Sequence, residues 1–138
     1  GLIEPTSGDA IIRGKKLTQD LDSIYTFIGV CPQHDILWDK LTGKEHLEFY
    51  GRIKNLQGKE LDQQVAKLLK QVNLYEARNK QSCKYSGGMK RRLSVAIALI
   101  GHPKVVYLDE PSTGLDPKSR QDLWAVINEA KSTASVIL

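Results

Sequence analysis

Hydrophobic positions change period along the chain, and each change marks an element. Val105 to Leu108, Val-Val-Tyr-Leu, is a short apolar run without alternation, rich in strand-forming residues. Such a run suits a strand covered on both faces, as in a parallel sheet. Phe27 to Cys31, Phe-Ile-Gly-Val-Cys, predicts a second buried strand, stopped by Pro32. Ala10 to Ile12, closed by Gly14, and Ser135 to Leu138 predict shorter strands. Elsewhere the period becomes helical. Thr42-Gly43-Lys44-Glu45 has the form of a capping box and opens a helix to about Lys54. His46, Phe49, Tyr50 and Ile53 share one face of it, predicted to pack inward. After a turn over Asn55 to Gly58, a second helix runs from about Lys59 to Asn73. It turns Leu61, Val65, Leu68, Leu69 and Val72 inward and Lys67 and Lys70 to water. Ser86 opens a third helix, to about Ile100. Asp116 as N-cap, with Pro117 at the first helical position, opens a fourth to about Lys131, burying Leu123, Val126, Ile127 and Ala130. Leu17 to Tyr25 fits a short helix only loosely. Gly1 to Ile3 reads as the last turn of something already under way, and Pro5, Ser7 and Gly8 as turn residues.

The result is an α/β chain with an all-helical insert, about Asp35 to Gln81, between strand-forming ends. Composition changes this little. A length of 138 residues fits one domain or part of one, and the first residue is Gly, not Met, as in a cut from something longer. The net charge of +4 permits weak attraction to phosphates or an anionic surface, but the lysines sit mostly on solvated helix faces. The 138 residues carry no signal-peptide pattern, and no stretch of them approaches the roughly 18 apolar residues of a spanning helix. Cys31 and Cys83 make no disulfide framework. Cys31 and His34 have a spacing that could start a metal site, but no second pair follows, since His46 and His102 stand alone.

Chemistry concentrates where strands end. Asp109 and Glu110 follow the Val105–Leu108 run, and Pro111 then ends the ladder. Open α/β sheets bind ligands at this carboxyl edge. Successive side chains point different ways, so one carboxylate can hold a metal while the other reaches a water. Phosphoryl transfer needs that division of labour. Alone, the pair equally fits a solvated acidic turn, and Gln33, just past the other strand, fits a loop amide. Ser86-Gly87-Gly88 also has two readings. It is a good serine cap. Yet glycine costs about 1 kcal/mol relative to alanine in a helix, and bare backbone at a helix start lets free N–H groups approach a phosphate. Lys90, Arg91 and Arg92 stand in the first turns, where the helix dipole disfavours cations unless an anion is bound. Phosphate contact is the favoured reading.

Together, Tyr85-Ser86-Gly87-Gly88-Met89, Val105 to Pro111 and Ser112-Thr113-Gly114-Leu115-Asp116 resemble the nucleotide-binding domain of ATP-binding cassette proteins. They look like its signature, Walker B and D-loop motifs. Gln33 looks like its Q-loop, and Gly1 to Gly8 resembles the segment after its P-loop helix. The match covers essentially the whole chain. Cys31 to Tyr50 is similar to the A subfamily, whose members are largely lipid exporters. The resemblance implies a P-loop NTPase-like, RecA-like core with a parallel sheet, interrupted by an α-helical subdomain and truncated at both ends. Residues 1–34 and 101–138 would be core, and 35–100 the helical subdomain with the signature helix. ATP and Mg²⁺ are the implied cofactors. Asp109 would support Mg²⁺, and Glu110 would be the general base. Gln33 would touch Mg²⁺ or the attacking water and sense transport through the membrane part. Ser86, Gly87 and Gly88 would bind the γ-phosphate of ATP held by a second nucleotide-binding domain, and Asp116 would help link the two sites. Transmembrane domains complete the implied assembly, at the cytoplasmic face of a membrane. A lipid substrate would bind elsewhere, and no nucleic acid is expected.

The chain also departs from the family pattern. No G-x-x-x-x-G-K-[ST] occurs. The adenine-stacking aromatic would lie upstream and the switch histidine beyond Leu138. The sequence therefore reads as an internal piece. By itself it is expected to be marginally stable and neither to bind ATP tightly nor to hydrolyse it. Tyr85 stands for the commoner Leu and Met89 for Gln, which leaves the backbone donors in place. Two alternatives stay open: a soluble ATPase of the same superfamily acting on ribosomes or DNA, and a non-catalytic fragment. The short insert without heptads favours a transporter, and Glu110 argues against a non-catalytic role.

Overall fold

Strands and helices follow the polarity pattern closely, and the differences arise where backbones approach each other. The protein is described here by a computed structural model covering residues 6–138; the expected turns at Gly1–Ile3 and Pro5 lie outside the described residues. In chain order the elements are β1 (Ile11–Ile12), β2 (Lys15–Lys16), α1 (Leu21–Phe27), β3 (Ile28–Cys31), α2 (Gly43–Ile53) and α3 (Gly58–Gln71). A 3₁₀ turn at Ser82–Lys84 follows, then α4 (Gly87–Leu99), β4 (Val105–Leu108), α5 (Pro117–Ala130) and β5 (Ser135–Ile137). β3, β4 and β5 form a parallel sheet in that order, with α5 as the crossover between the last two. β1 and β2 make a separate hairpin. Its second strand was not foreseen, because Lys15–Lys16 has no apolar signal. Positive φ at Arg13 (51°) and Gly14 (78°) makes the tight reversal.

One continuous core joins the sheet to the helices. α3 buries Leu61, Val65, Leu68 and Leu69, with Val72 just beyond, as its period predicts. α5 buries Leu123, Val126 and Ile127, with Ala130 half-buried. α4 is buried over almost its whole circumference from Arg91 to Ala96. It lies against β3 so closely that a side-chain carbon on Gly29 would overlap the Ala98 carbonyl.

Three expectations change. The short helix expected over Leu17 to Tyr25 lies at Leu21–Phe27, because residues 17–19 close the turn after β2. The strand expected at 27–31 begins at Ile28, because α1 runs through Phe27 and turns directly into it. Nor is it buried throughout: α4 covers the face of Gly29 and Cys31, while Val30 on the other face is 53% exposed. On α2, the capping box is present, with Glu45 N–H donating to Thr42 Oγ1 (3.1 Å) and Thr42 N–H to Glu45 Oε2 (2.7 Å). Its buried face, however, is Gly43, His46, Leu47 and Gly51, while Phe49 and Ile53 are exposed. Glycine is invisible to a count of apolar side chains. At Gly51 and Gly43 its lack of one admits Leu61 and the Tyr85 ring, and this sets which way α2 faces. Among the described residues, no helix is long and apolar enough to cross a membrane.

Candidate functional site

Strand register brings the first residues together. Cys31 pairs with Leu108 in the parallel ladder, and Asp109 N–H donates to the Cys31 carbonyl (2.9 Å). Gln33 and Glu110 each lie two residues past that pair. Their side chains meet although 77 positions apart: Gln33 Nε2 donates to Glu110 Oε2 at 3.1 Å. Thr113 Oγ1 donates to the same carboxylate oxygen, also at 3.1 Å. All three side chains are exposed, so the carboxylate is held but reachable by solvent. Glu110 has φ of +44°, a left-handed conformation that a glutamate seldom adopts. Such strain persists only where the surroundings enforce it.

Asp109, one residue earlier, takes no part in this contact. Among the described residues no hydrogen bond to its carboxylate is made, and it is exposed at the sheet edge. An uncommitted carboxylate suits a hard cation such as Mg²⁺, which commonly takes one or two protein carboxylates and completes its shell with phosphate and water. Among the described residues no group of three or more His, Cys, Asp or Glu gathers that could hold a metal without such help. Cys31, beneath the same edge, is buried, and desolvation pushes its thiol up to about 11. A thiol so reluctant to ionise is a packing group rather than a nucleophile.

Ser86 caps α4, its Oγ accepting from Met89 N–H at 3.2 Å. The two glycines differ. A side-chain carbon on Gly88 would come within 2.9 Å of Ser119 Oγ on α5, so that hydroxyl would have to move aside. One on Gly87 would meet nothing within 4 Å, which leaves that backbone open to an approaching group. Asp116 caps α5, accepting from the N–H groups of Lys118 (3.1 Å) and Ser119 (3.0 Å). Hydrogen bonding to Ser119, then to Lys118, holds its carboxyl below the ordinary value of 3.8. Gly88 and Asp116 are thus brought together through Ser119.

The cations at the start of α4 require a correction. Arg91 and Arg92 are 5% and 9% exposed and already have partners. Arg92 donates to the carbonyls of Val72 (2.9 Å) and Asn73 (3.3 Å), just past the end of α3. Arg91 donates to carbonyls at 32–33 and 109–111, the two loops that carry Gln33 and Glu110. Carbonyl oxygens relieve both charges, together with the Asp35 carboxylate 3.3 Å from Arg91, so neither calls for a further anion. Thr113 is the site residue that sequence reasoning overlooked, and Arg91, expected to face an anion, instead ties the site's two loops together. Thr113 offered a signal, since it lies three residues after Glu110 in a tight turn; Arg91 offered only its charge.

Residues 1–113 match the ABC transporter family. The chain belongs to that family. It is 61% identical over 140 residues to the ABC transporter A family member 7 of Arabidopsis thaliana, and equally to member 5 from the same plant. Each match covers all of this chain and 15% of the relative, so the chain spans about one seventh of the length of these ABC transporters. A solved structure described as the ATP binding subunit of an ABC transporter superimposes with a TM-score of 0.84 and 28% identity. It covers 99% of this chain, which in turn covers 57% of that one. The α/β architecture with its parallel sheet is therefore the fold of an ABC transporter's ATP-binding subunit.

Proposed function

We propose that this chain is the catalytic part of an ATP-hydrolysing domain in an A-subfamily ABC transporter. The observation that carries the reading is the contact between Gln33 and Glu110 at the carboxyl ends of adjacent parallel strands. It supports a site where one group orients a water and the other removes its proton. Glu110 acts as general base, accepting the proton as the water oxygen bonds to the γ-phosphorus and the bond to ADP breaks. Gln33 and Thr113 fix the carboxylate for that step. Asp109 would hold Mg²⁺, which when bound would supply positive charge to offset that of the phosphates. Gln33 would also be placed to help hold the ion or the water and to sense the membrane part.

Residues 35–100 act as a helical subdomain. Its open Gly87, with Ser86 and Gly88, contacts the γ-phosphate of ATP held by a second nucleotide-binding domain, and Asp116 helps link the sites. Beyond the Gln33 loop, Trp38 and Phe49 pack edge to face (5.0 Å between centroids) and are each 43% exposed; Ile36 in the preceding loop and Ile53 one turn further along α2 are exposed as well. An apolar patch of this kind marks an interaction surface. We assign it to docking of the transmembrane domains at the cytoplasmic face of a membrane. The transported substrate is a lipid, moved outward. The short stretch between Gln33 and Ser86, without a long coiled coil, favours this over a soluble ATPase acting on ribosomes or DNA.

The test is Glu110→Gln in the full-length protein. ATP turnover should fall by about 10²–10⁴, the scale for losing a general base, while ATP still binds. Turnover equal to the unmodified protein removes Glu110 from the mechanism.

A further inference from the structure

Arg91 leaves α4 one turn after the residues that open it, and it is 5% exposed. Its Nη1 donates to the carbonyls of Pro32 (2.6 Å) and Gln33 (3.2 Å), and Nη2 to those of Asp109 (2.6 Å) and Glu110 (3.1 Å). Nε donates to the Pro111 carbonyl (3.0 Å), and Nη1 also lies 3.3 Å from the Asp35 carboxylate. One planar fork therefore ties the Gln33 loop, the Glu110 loop and the first turns of α4 into a single unit. Main-chain carbonyls on both sides of the strained Glu110 are among its acceptors, so the guanidinium also helps hold that backbone in its left-handed conformation. An ammonium has three donors on a flexible stem and cannot span this set.

On the reading proposed above, Ser86 to Gly88 serve nucleotide held by a second domain, while Gln33 and Glu110 serve nucleotide held by this one. Arg91 stands between them. We infer that Arg91 is a positioning residue that makes the Gln33–Glu110 geometry of one ATP site depend on engagement of α4 at the other. A shift of α4 against the second domain's nucleotide moves both loops together, because the guanidinium bridges both. Engagement at one site thus sets the catalytic pair at its neighbour.

The experiment uses the full-length protein and compares Arg91→Lys with Glu110→Gln. Arg91→Lys should lower kcat by about 10- to 100-fold, the scale of a small misplacement of catalytic groups, with KM for ATP within about threefold. Free guanidinium, well below denaturing concentrations, should restore part of the loss in Arg91→Ala. Gly87→Asp, placed where a side chain meets open space, blocks engagement of α4. Combined with Arg91→Lys, its effect on kcat should be less than additive. Unchanged kcat, strictly additive effects, or a joint fall of kcat and thermal midpoint without rescue overturns the inference. If Arg91→Lys does not fold, Arg91→Gln is read the same way, and failure of both to fold assigns Arg91 to stability alone and overturns it too. A normal rate in Glu110→Gln instead brings down the functional reading on which the inference rests.

Discussion

At the scale of single residues, what matters most here is how near a backbone can come. Gly29 sits in β3 with no unusual φ, so its glycine is required by space and not by conformation. A methyl group there overlaps the Ala98 carbonyl of α4, and backbone cannot step aside as a flexible side chain can. Overpacking of this kind costs about 1–3 kcal/mol. Gly29→Ala is therefore expected to lower the urea unfolding midpoint by that equivalent, whereas Gly87→Ala, facing open space, should stay within about 0.5 kcal/mol. Equal stability of the two variants would show that α4 does not lie on β3 as described. Arg91 makes the same point from the polar side. Its charge was visible in the sequence, but five backbone carbonyls from two distant loops became its partners only through folding.

At the scale of elements, the starts of α2, α4 and α5 are legible because capping is local chemistry, whereas α1, without a side-chain cap, begins four residues later than the sequence suggests. Thr42 with Glu45, Ser86 and Asp116 all bond to groups within three residues of themselves. These caps also predict a response to acid. Hydrogen bonds lower the folded-state pKa of Asp116 from 3.8, and those from Thr42 lower that of Glu45 from 4.5. A lowered carboxylate pKa adds stability that is fully present above the unfolded value and is lost as pH falls through the folded one. The thermal midpoint should thus be level near neutrality and decline below about pH 4. Asn is as good a cap as Asp but does not titrate. Asp116→Asn should lie at or slightly below the unmodified protein at neutral pH, with the gap closing in acid. A gap that widens in acid would contradict the cap assigned to Asp116. Element faces were less legible than element starts. On α2 the apolar count chose Phe49 and Ile53, while Gly43 and Gly51 set the buried side.

At the scale of the whole molecule, a few long polar side chains fasten the helices to the sheet. Lys54, at the end of α2, donates to the carbonyls of Tyr25 (2.7 Å) and Ile28 (2.9 Å), where α1 becomes β3. Desolvation lowers its pKa, the mark of an amine drawn partly out of water. Lys54→Met keeps the stem and leaves two carbonyls without their donor. It should destabilise by about 1–3 kcal/mol in denaturant unfolding, and no loss would show that the link is dispensable. Arg92 makes the comparable tie between α4 and the end of α3. The sequence by itself determined the α/β class, the capped helix starts, the motifs and their order, and the acidic pair at a strand end. These depend on local propensity and periodicity, which neighbouring residues settle among themselves. Only the tertiary structure decided that Gln33 meets Glu110, that Arg91 joins both their loops, and that glycines orient α2. Those outcomes depend on strand register and on the distance between backbones, which arise when segments dozens of residues apart are brought into one core.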